Sequence, residues 1–432
     1  MLTKAIKGTQ DILPAKVRAS QFIETAMLET AGSFGYKEMR TPVFEYTELF
    51  TRSVGDTTDV VQKEMYTFND KGGRSITLRP EGTAGAVRAF LEHSLFNEPS
   101  PQKICYITSC YRYEKPQAGR LREFHQFGAE CFGSALPAAD AEVISLANEI
   151  FAFLGVKNLK LELNSIGCPA CRPNYHAALS AYFEKNKGAL CTTCLDRLGR
   201  NPMRILDCKS PVCSGIAAGA PVMIDYICGD CSAHFDALKR YLDTLKIQYT
   251  VNPRIVRGLD YYTRTVFEFI STEIGAQGTV CGGGRYDKLV EEMGGPAVPA
   301  LGFGLGLERL LLLMEAQQIE LPPEKGCEIF IVSLGDSAGF KAAALTLELR
   351  SAGIGAQFDI MGRSVKAQMK YADKIGAAFT VVLGDDELGK GEAMLRDMNG
   401  GETQAIKLAS FTDDFMNVTL RKAAKNLEDA LG

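Results

Sequence analysis

Three stretches of this chain combine arginine with carboxylates, hydroxyls and glycines at spacings suited to holding a phosphorylated substrate. Residues 109–114 and 124–131 carry the pattern of two strands, and a strand sends alternate side chains to one face. Arg112 and Glu114 then share a face of the first strand, while Phe124, Gln126, Gly128 and Glu130 share a face of the second. An arginine fork can grip a phosphate, a ring can stack a base, and glycine leaves room between them. The opposite set, Tyr111, Tyr113, Phe127, Ala129 and Cys131, suits a core. The polar face fits equally a solvated sheet with cross-strand ion pairs.

The second stretch is Arg257-Gly258-Leu259-Asp260-Tyr261-Tyr262-Thr263-Arg264-Thr265-Val266-Phe267-Glu268-Phe269, which begins as a loop and ends as a strand. Its charges and hydroxyls fit either a solvated strand edge or a pocket for a small polar substrate. In the third, Gly302, Gly304 and Gly306 strip one face of a strand bare, with Arg309 at the start of the following helix as a charge clamp. A flat ligand or a close-packed helix would both use such a face. The stretch lacks the Gly-Lys-Ser/Thr ending of a P-loop.

Cysteine is the compositional anomaly: 13 residues in a chain that opens without an apolar signal segment. Reduced thiols or metal ligands are expected rather than disulfides. Eight of them follow the spacing Cys168-x2-Cys171-x19-Cys191-x2-Cys194 and Cys208-x4-Cys213-x14-Cys228-x2-Cys231. Two four-thiolate Zn²⁺ sites would use all eight, paired sequentially or interleaved; a cysteine-rich insertion without metal is the alternative. Cys105, Cys110, Cys131, Cys281 and Cys327 lie in strand-like or apolar contexts and read as ordinary core thiols. His125 points away from Gln126 and reads as structural.

The elements that must position these residues follow from length and periodicity. A chain of 432 residues, 46% hydrophobic and 23% charged, implies two to four domains. It has no run of 18 apolar residues, so no membrane span is expected. Helical spacing marks 14–34, 83–93 and 138–154, and strand patterns mark 103–114, 123–132, 159–164, 255–270 and 277–284. Residues 36–45, with Pro42, suit a strand edge or an interface. After the linker Leu321-Pro322-Pro323-Glu324-Lys325-Gly326, strands and helices alternate, implying a small α/β domain with a largely parallel sheet.

A formal charge of −4 offers no pointer to nucleic acid, although a global sum can hide basic faces. Two such faces exist. The loop 115–122 concentrates Lys115, Arg120 and Arg122 against Glu123. In the expected helix 363–375, Arg363, Lys366, Lys370 and Lys374 line one side, which fits either nucleic-acid contact or a solvated face.

Taken in order, these pieces resemble a class II aminoacyl-tRNA synthetase. Segment 36–45 resembles the first class motif, at a dimer interface; the 103–132 hairpin resembles the second and 300–314 the third. The stretch from Arg257 and the run Cys281-Gly282-Gly283-Gly284-Arg285-Tyr286-Asp287 narrow the resemblance to the histidyl-tRNA synthetase family. Leu78-Arg79-Pro80-Glu81-Gly82-Thr83 and Lys7-Gly8-Thr9-Gln10-Asp11 also fit. Tyr113 and Lys115 depart from the histidine and arginine of many members.

The resemblance implies an α+β catalytic domain built on an antiparallel sheet, with a Cys-rich insertion and a C-terminal α/β anticodon-binding domain. The expected boundaries are 1–164 and 246–324 for the catalytic parts, 165–245 for the insertion and 325–432 for the anticodon-binding domain. It implies a cytoplasmic homodimer that uses ATP and Mg²⁺ to activate L-histidine and passes it to the 3′ end of tRNA(His). Arg112 and Arg309 would hold the ATP phosphates, Phe124 would stack the adenine and Glu114 would accept from its amino group. Glu81, Thr83 and Gln126 would bind the α-ammonium. Glu130 and Tyr262 would meet the imidazole nitrogens, one accepting and one donating, beside Tyr261 and Tyr286. Arg257, with Arg112, would be catalytic, meeting the charge that builds on the α-phosphate. Gln117, Arg120, Arg122, Arg363, Lys366 and Lys370 would contact tRNA. A catalytically silent paralogue, such as a regulatory subunit of ATP phosphoribosyltransferase or an uncharged-tRNA sensor, is the runner-up. Arg264 receives no role.

Overall fold

The computed structural model describes residues 3–55, 58–206, 208, 210–255, 257–275, 278–322 and 326–431. Of the expected elements, Val256, Gln277 and the linker residues Pro323, Glu324 and Lys325 lie outside these. The chain divides into two units, Met1–Leu321 and Pro322–Gly432.

The first unit runs α1 (Pro14–Ser33), β1 (Lys37–Glu38), β2 (Phe44–Tyr46), α2 (Thr47–Val54), β3 (Tyr66–Asn69), β4 (Ser75–Leu78), α3 (Thr83–Glu92), β5 (Gln102–Tyr111), β6 (Glu123–Phe132), α4 (Pro137–Phe153) and β7 (Lys160–Ser165). Four helices follow in the cysteine-rich region: α5 (Arg172–Lys185), α6 (Thr192–Arg200), α7 (Pro211–Ala218) and α8 (Gly229–Thr244). The unit closes with β8 (Thr250–Val251), β9 (Thr263–Ile270), β10 (Thr279–Arg285), α9 (Leu289–Glu292), β11 (Ala300–Gly306) and α10 (Leu307–Ala316). Proline in the first turn of α1, α4, α5 and α7 supplies a preset φ where no N–H partner is needed.

Eight strands form one sheet in the order β1-β5-β6-β11-β10-β9-β7-β8. The five central pairings, from β5 to β7, are antiparallel, and β1 and β8 add parallel edges. Alternation assigns the two faces. Phe127, Ala129, Phe267, Phe303 and Leu305 are buried on one side with Ile23 and Met27 of α1, Ile144 of α4 and Leu310 of α10. Each such large side chain contributes about 1.5–3 kcal/mol by leaving water. The other face carries the polar residues and glycines.

Tyr113 departs from the core expectation: it is 55% exposed. Strand β5 stops at Tyr111, and the Tyr113 N–H turns to the Glu64 carbonyl at 2.6 Å, so strict alternation ends there.

The second unit runs β12 (Ile329–Ser333), α11 (Asp336–Ser351), β13 (Ala356–Phe358), α12 (Val365–Lys374), β14 (Phe379–Leu383), α13 (Asp385–Lys390), β15 (Glu392–Asp397), β16 (Thr403–Lys407) and α14 (Phe411–Leu431). Its sheet order is β13-β12-β14-β15-β16. The β12 pairings are parallel, but β14–β15 and β15–β16 are antiparallel, so the sheet is mixed rather than largely parallel. The unforeseen hairpin turns at Asn399-Gly400-Gly401, with Gly401 at φ 73°.

Candidate active site

The polar face of the large sheet is a floor of glycines overlaid by the side chains of neighbouring segments. In register, Gly302 lies opposite Glu130, Gly304 opposite Gly128, and Gly282 opposite both Gly304 and Glu268. A Cβ on Gly302 would overlap the Glu130 carboxylate, on Gly304 the Gln126 amide, and on Gly128 the Tyr106 ring. On Gly282 it would lie 2.5 Å from Arg257 Nη1. The bare strip therefore makes room for Arg257, Gln126, Glu130 and Tyr106, which answers the alternative of helix packing.

A cavity of about 260 Å³ lies on this floor, lined by Arg112, Arg257 and Arg309 together with Glu114, Phe124 and Gln126. Two expected positions thus converge from distant parts of the chain on the hairpin. Arg112 holds the Pro80 carbonyl at 2.8 Å, and its guanidinium lies 5.5 Å from the Phe124 ring centre. Arg309 donates to the carbonyls of Thr279 at 2.6 Å and Gly119 at 3.3 Å. Burial, and then repulsion from Arg120 and Arg112, lowers its pKa. Such a cluster of cations favours an anionic ligand between them. Arg257 pairs with Glu268 and lies 5.7 Å from the Tyr262 ring. Its Nε is buried and has no hydrogen-bond partner.

Deeper in the sheet, Glu130 is fully buried and accepts from Thr83 Oγ1 and Tyr106 Oη, both at 2.8 Å, and from Tyr286 Oη. Burial pushes its pKa up to about 8, against the pull of those three hydroxyls. Tyr261, Tyr262 and Tyr286 form a ring cluster with centroids 4.7–6.5 Å apart. Glu81 is also buried; it caps α3 by accepting from the N–H groups of Thr83 at 2.7 Å and Ala84 at 2.8 Å, and burial raises its pKa. Gln126 Oε1 accepts from the Gly82 N–H at 3.0 Å.

Several residues of this site went unnoticed in the sequence. Tyr106 falls on the face of Glu130 only through the β5–β6 register, which sets it opposite Gly128. Glu268 was legible as an alternate residue of its strand, but its partner Arg257 is reached by a loop. Arg285 is fully buried and pairs with Asp140 and Asp287. Asp140 is held down to about 2: burial opposes this, and Arg285 and His234 outweigh it. His125 accepts its expected place off the polar face, its Nδ1 2.8 Å from Glu308 Oε1.

The basic faces are less uniform than expected. Arg120 turns inward and pairs with Glu114, and Arg122 lies 3.9 Å from the Tyr113 ring centre, while Lys115 and Gln117 are exposed. In the second unit, Arg363 precedes helix α12 instead of lying on it. It pairs with Asp359 at 2.7 Å and covers Tyr371, leaving Lys366, Lys370 and Lys374 as the exposed row.

The eight cysteines sort into two quartets, Cys168/Cys171/Cys228/Cys231 and Cys191/Cys194/Cys208/Cys213, whose sulfurs lie within 4.8 Å of one another in each. The pairing is nested: the inner quartet lies between the two halves of the outer one. Each quartet could hold a metal ion. No helix among the described residues is long and apolar enough to cross a membrane.

The largely antiparallel sheet with its glycine floor, the three arginines on one cavity and the C-terminal α/β unit match the architecture expected from the resemblance to a class II aminoacyl-tRNA synthetase. The family described as Histidyl-tRNA synthetase matches residues 8–169 and 227–310, and an Anticodon binding domain family matches 328–416. A histidine–tRNA ligase of Acetivibrio thermocellus is 54% identical over 94% of this chain and 98% of its own length. One of Clostridioides difficile is 50% identical over 96% and 99%. The crystal structure of apo S. aureus histidyl-tRNA synthetase superposes with a TM-score of 0.83, at 42% identity, covering 95% of this chain and 99% of that one. The chain belongs to the histidyl-tRNA synthetase family, ATP-dependent ligases that activate histidine and join it to tRNA. The silent-paralogue alternative falls away, since relatives this similar over nearly their whole length are histidine–tRNA ligases.

Proposed function

We propose that the glycine-floored cavity and the Glu130 cluster together form the site where L-histidine is activated to histidyl-adenylate and then passed to the 3′ end of tRNA(His). The observation that carries this division of labour is the convergence of Arg112, Arg257 and Arg309 on one cavity that also holds Phe124. Arg112 and Arg309 hold the phosphates of ATP, Phe124 stacks the adenine, and Glu114 accepts from its amino group once Arg120 yields. Mg²⁺ bound with the ATP would supply neutralisation of phosphate charge. The cavity carboxylates Glu114, Glu268 and Glu308 are already engaged by Arg120, Arg257 and His125.

Histidine lies between Glu130 and Tyr262, walled by Tyr261 and Tyr286, with its α-ammonium toward Glu81, Thr83 and Gln126. Each Glu130 oxygen can accept two hydrogen bonds, and Oε2 receives one from Tyr286, so it retains a site for an imidazole N–H. The histidine carboxylate attacks the α-phosphorus, pyrophosphate leaves, and Arg257 meets the charge that develops. The tRNA hydroxyl then attacks the adenylate carbonyl and AMP departs. ATP–pyrophosphate exchange measured with each of the twenty amino acids is expected to respond to histidine alone. Exchange with none of them would sink the assignment.

The C-terminal unit is assigned to the anticodon, with Lys366 and Lys370 on the exposed row of α12 as phosphate contacts. Charge reversal at both is expected to raise the KM for tRNA and leave ATP–pyrophosphate exchange untouched; unchanged tRNA kinetics would remove the helix from the interface. Val43, Phe44 and Tyr46 are 39%, 55% and 52% exposed and are assigned to the homodimer contact. The thiol quartets are assigned to structural Zn²⁺, in a cytoplasmic enzyme whose cysteines are all reduced.

A further inference from the structure

We propose that the two thiol quartets are separate zinc centres, and that each aims one arginine of the insertion at the Arg257–Tyr262 loop. The metal assignment stands on its own geometry; the coupling rests on the reading of that loop as part of the histidine site.

The sulfurs are spaced for a tetrahedral ion. Zn–S bonds of about 2.3 Å put the sulfurs of a regular tetrahedron about 3.8 Å apart. Cys168–Cys171, Cys168–Cys228 and Cys171–Cys231 lie at 3.6, 3.9 and 3.8 Å, and Cys191–Cys208 at 3.9 Å. A disulfide would need about 2.05 Å. Backbone N–H groups already point at the sulfurs, from Cys228 to Cys171 Sγ at 3.1 Å and from Cys191 to Cys213 Sγ at 3.3 Å.

Each centre closes a segment that carries an arginine to the loop. The outer quartet grips the start of α5, where Arg172 follows Cys171 and donates to the Tyr262 carbonyl. The root of the insertion is held in turn by Arg264, whose backbone, at φ 50°, exchanges 2.7 Å hydrogen bonds with Ile166 and Gly167. The inner quartet closes the span from Cys194 to Cys208. Within it lies the short 3-10 turn Pro202–Ile205. From that turn the buried Arg204 reaches Asp260 Oδ1 at 2.6 Å and the Arg257 carbonyl at 3.1 Å. Closing a loop in advance removes the entropy that would otherwise oppose holding Arg204 in place. Arg204 is thus a positioning residue for Arg257 and Tyr262.

The test uses the full-length protein, purified without chelator or added zinc. Metal analysis is expected to find two Zn per chain, matching the two quartets; less than about 0.2 overturns the metal centres. Cys194→Ser is expected to fall to one Zn. Arg204→Ala is expected to keep both ions, to slow exchange through the displaced Arg257 and to raise the KM for histidine about tenfold, the scale of one charge-assisted hydrogen bond, with the KM for ATP unchanged. Arg204→Lys should recover part of that loss, and Cys194→Ser should show the same histidine defect. A zinc-replete Arg204→Ala enzyme with an unchanged KM for histidine overturns the coupling, and this holds even if Cys194→Ser proves insoluble. If Arg257→Ala leaves exchange intact, the site reading fails instead, while the zinc count still stands.

Discussion

Arg257→Ala is expected to slow histidine-dependent ATP–pyrophosphate exchange by roughly 10²–10³-fold, the scale of losing one oriented charge donor at a developing anion. The side chain lies over Gly282, where nothing larger than hydrogen fits beneath it, and its Nε is buried without a partner. The cation is therefore in place before substrate arrives, and alanine cannot replace it. The substitution also strips Glu268 of its paired counter-charge, leaving it the hydrogen bond from the Thr279 hydroxyl at 2.9 Å. Removing one member of a buried pair is itself destabilising. The double variant Arg257→Ala/Glu268→Gln separates the effects: it should regain thermal stability and stay slow. Recovery of the rate in the double variant, or an effect of Arg257→Ala confined to the KM for histidine, would move Arg257 from chemistry to binding.

Glu130→Gln is expected to give a pH-dependent gain in stability together with a loss of histidine activation. The carboxyl titrates near its ordinary value of 4.5 in the unfolded chain and at about 8 here, with burial the main cause. The folded state thus binds this proton more tightly. The group favours folding less and less as pH rises from about 5 to about 8, by about 1.4 kcal/mol per unit of pH, or several kcal/mol in all. Glutamine cannot ionise, so the variant should gain on the parent enzyme across that window and show no further change above it. Urea denaturation at pH 5.5 and pH 8 reads this directly, and parallel curves would mean the carboxylate is ionised throughout. In the same variant kcat/KM for histidine should fall about 10–100-fold, as expected when an amide replaces the carboxyl that holds the imidazole N–H. Unimpaired histidine activation would take Glu130 out of the imidazole pocket.

How much of this was legible in the sequence differs from one part to another. Alternation placed Gln126, Gly128 and Glu130 on one face and Phe127 and Ala129 on the other, and the structure keeps both sets. It did so because strand periodicity is a property of neighbours two residues apart. The order of the motifs determined the family, and the glycine triplet 302–306 determined that one face would be bare. Alternation failed at Tyr113, where the strand ended three residues earlier than expected, and helical spacing failed at Arg363, which precedes its helix and pairs with Asp359. Local patterns do not say where an element stops when a distant carbonyl or carboxylate captures its last residues.

The tertiary structure alone decided what lies across from what. Cross-strand register put Tyr106 beside Glu130, and a loop crossing the sheet put Arg257 beside Glu268. The spacing of the eight cysteines allowed sequential or interleaved sites, and the folding of α5–α8 brought the outer four and the inner four together instead. These pairings depend on contacts between residues from 11 to about 60 positions apart, whose geometry is set by packing and not by any local repeat.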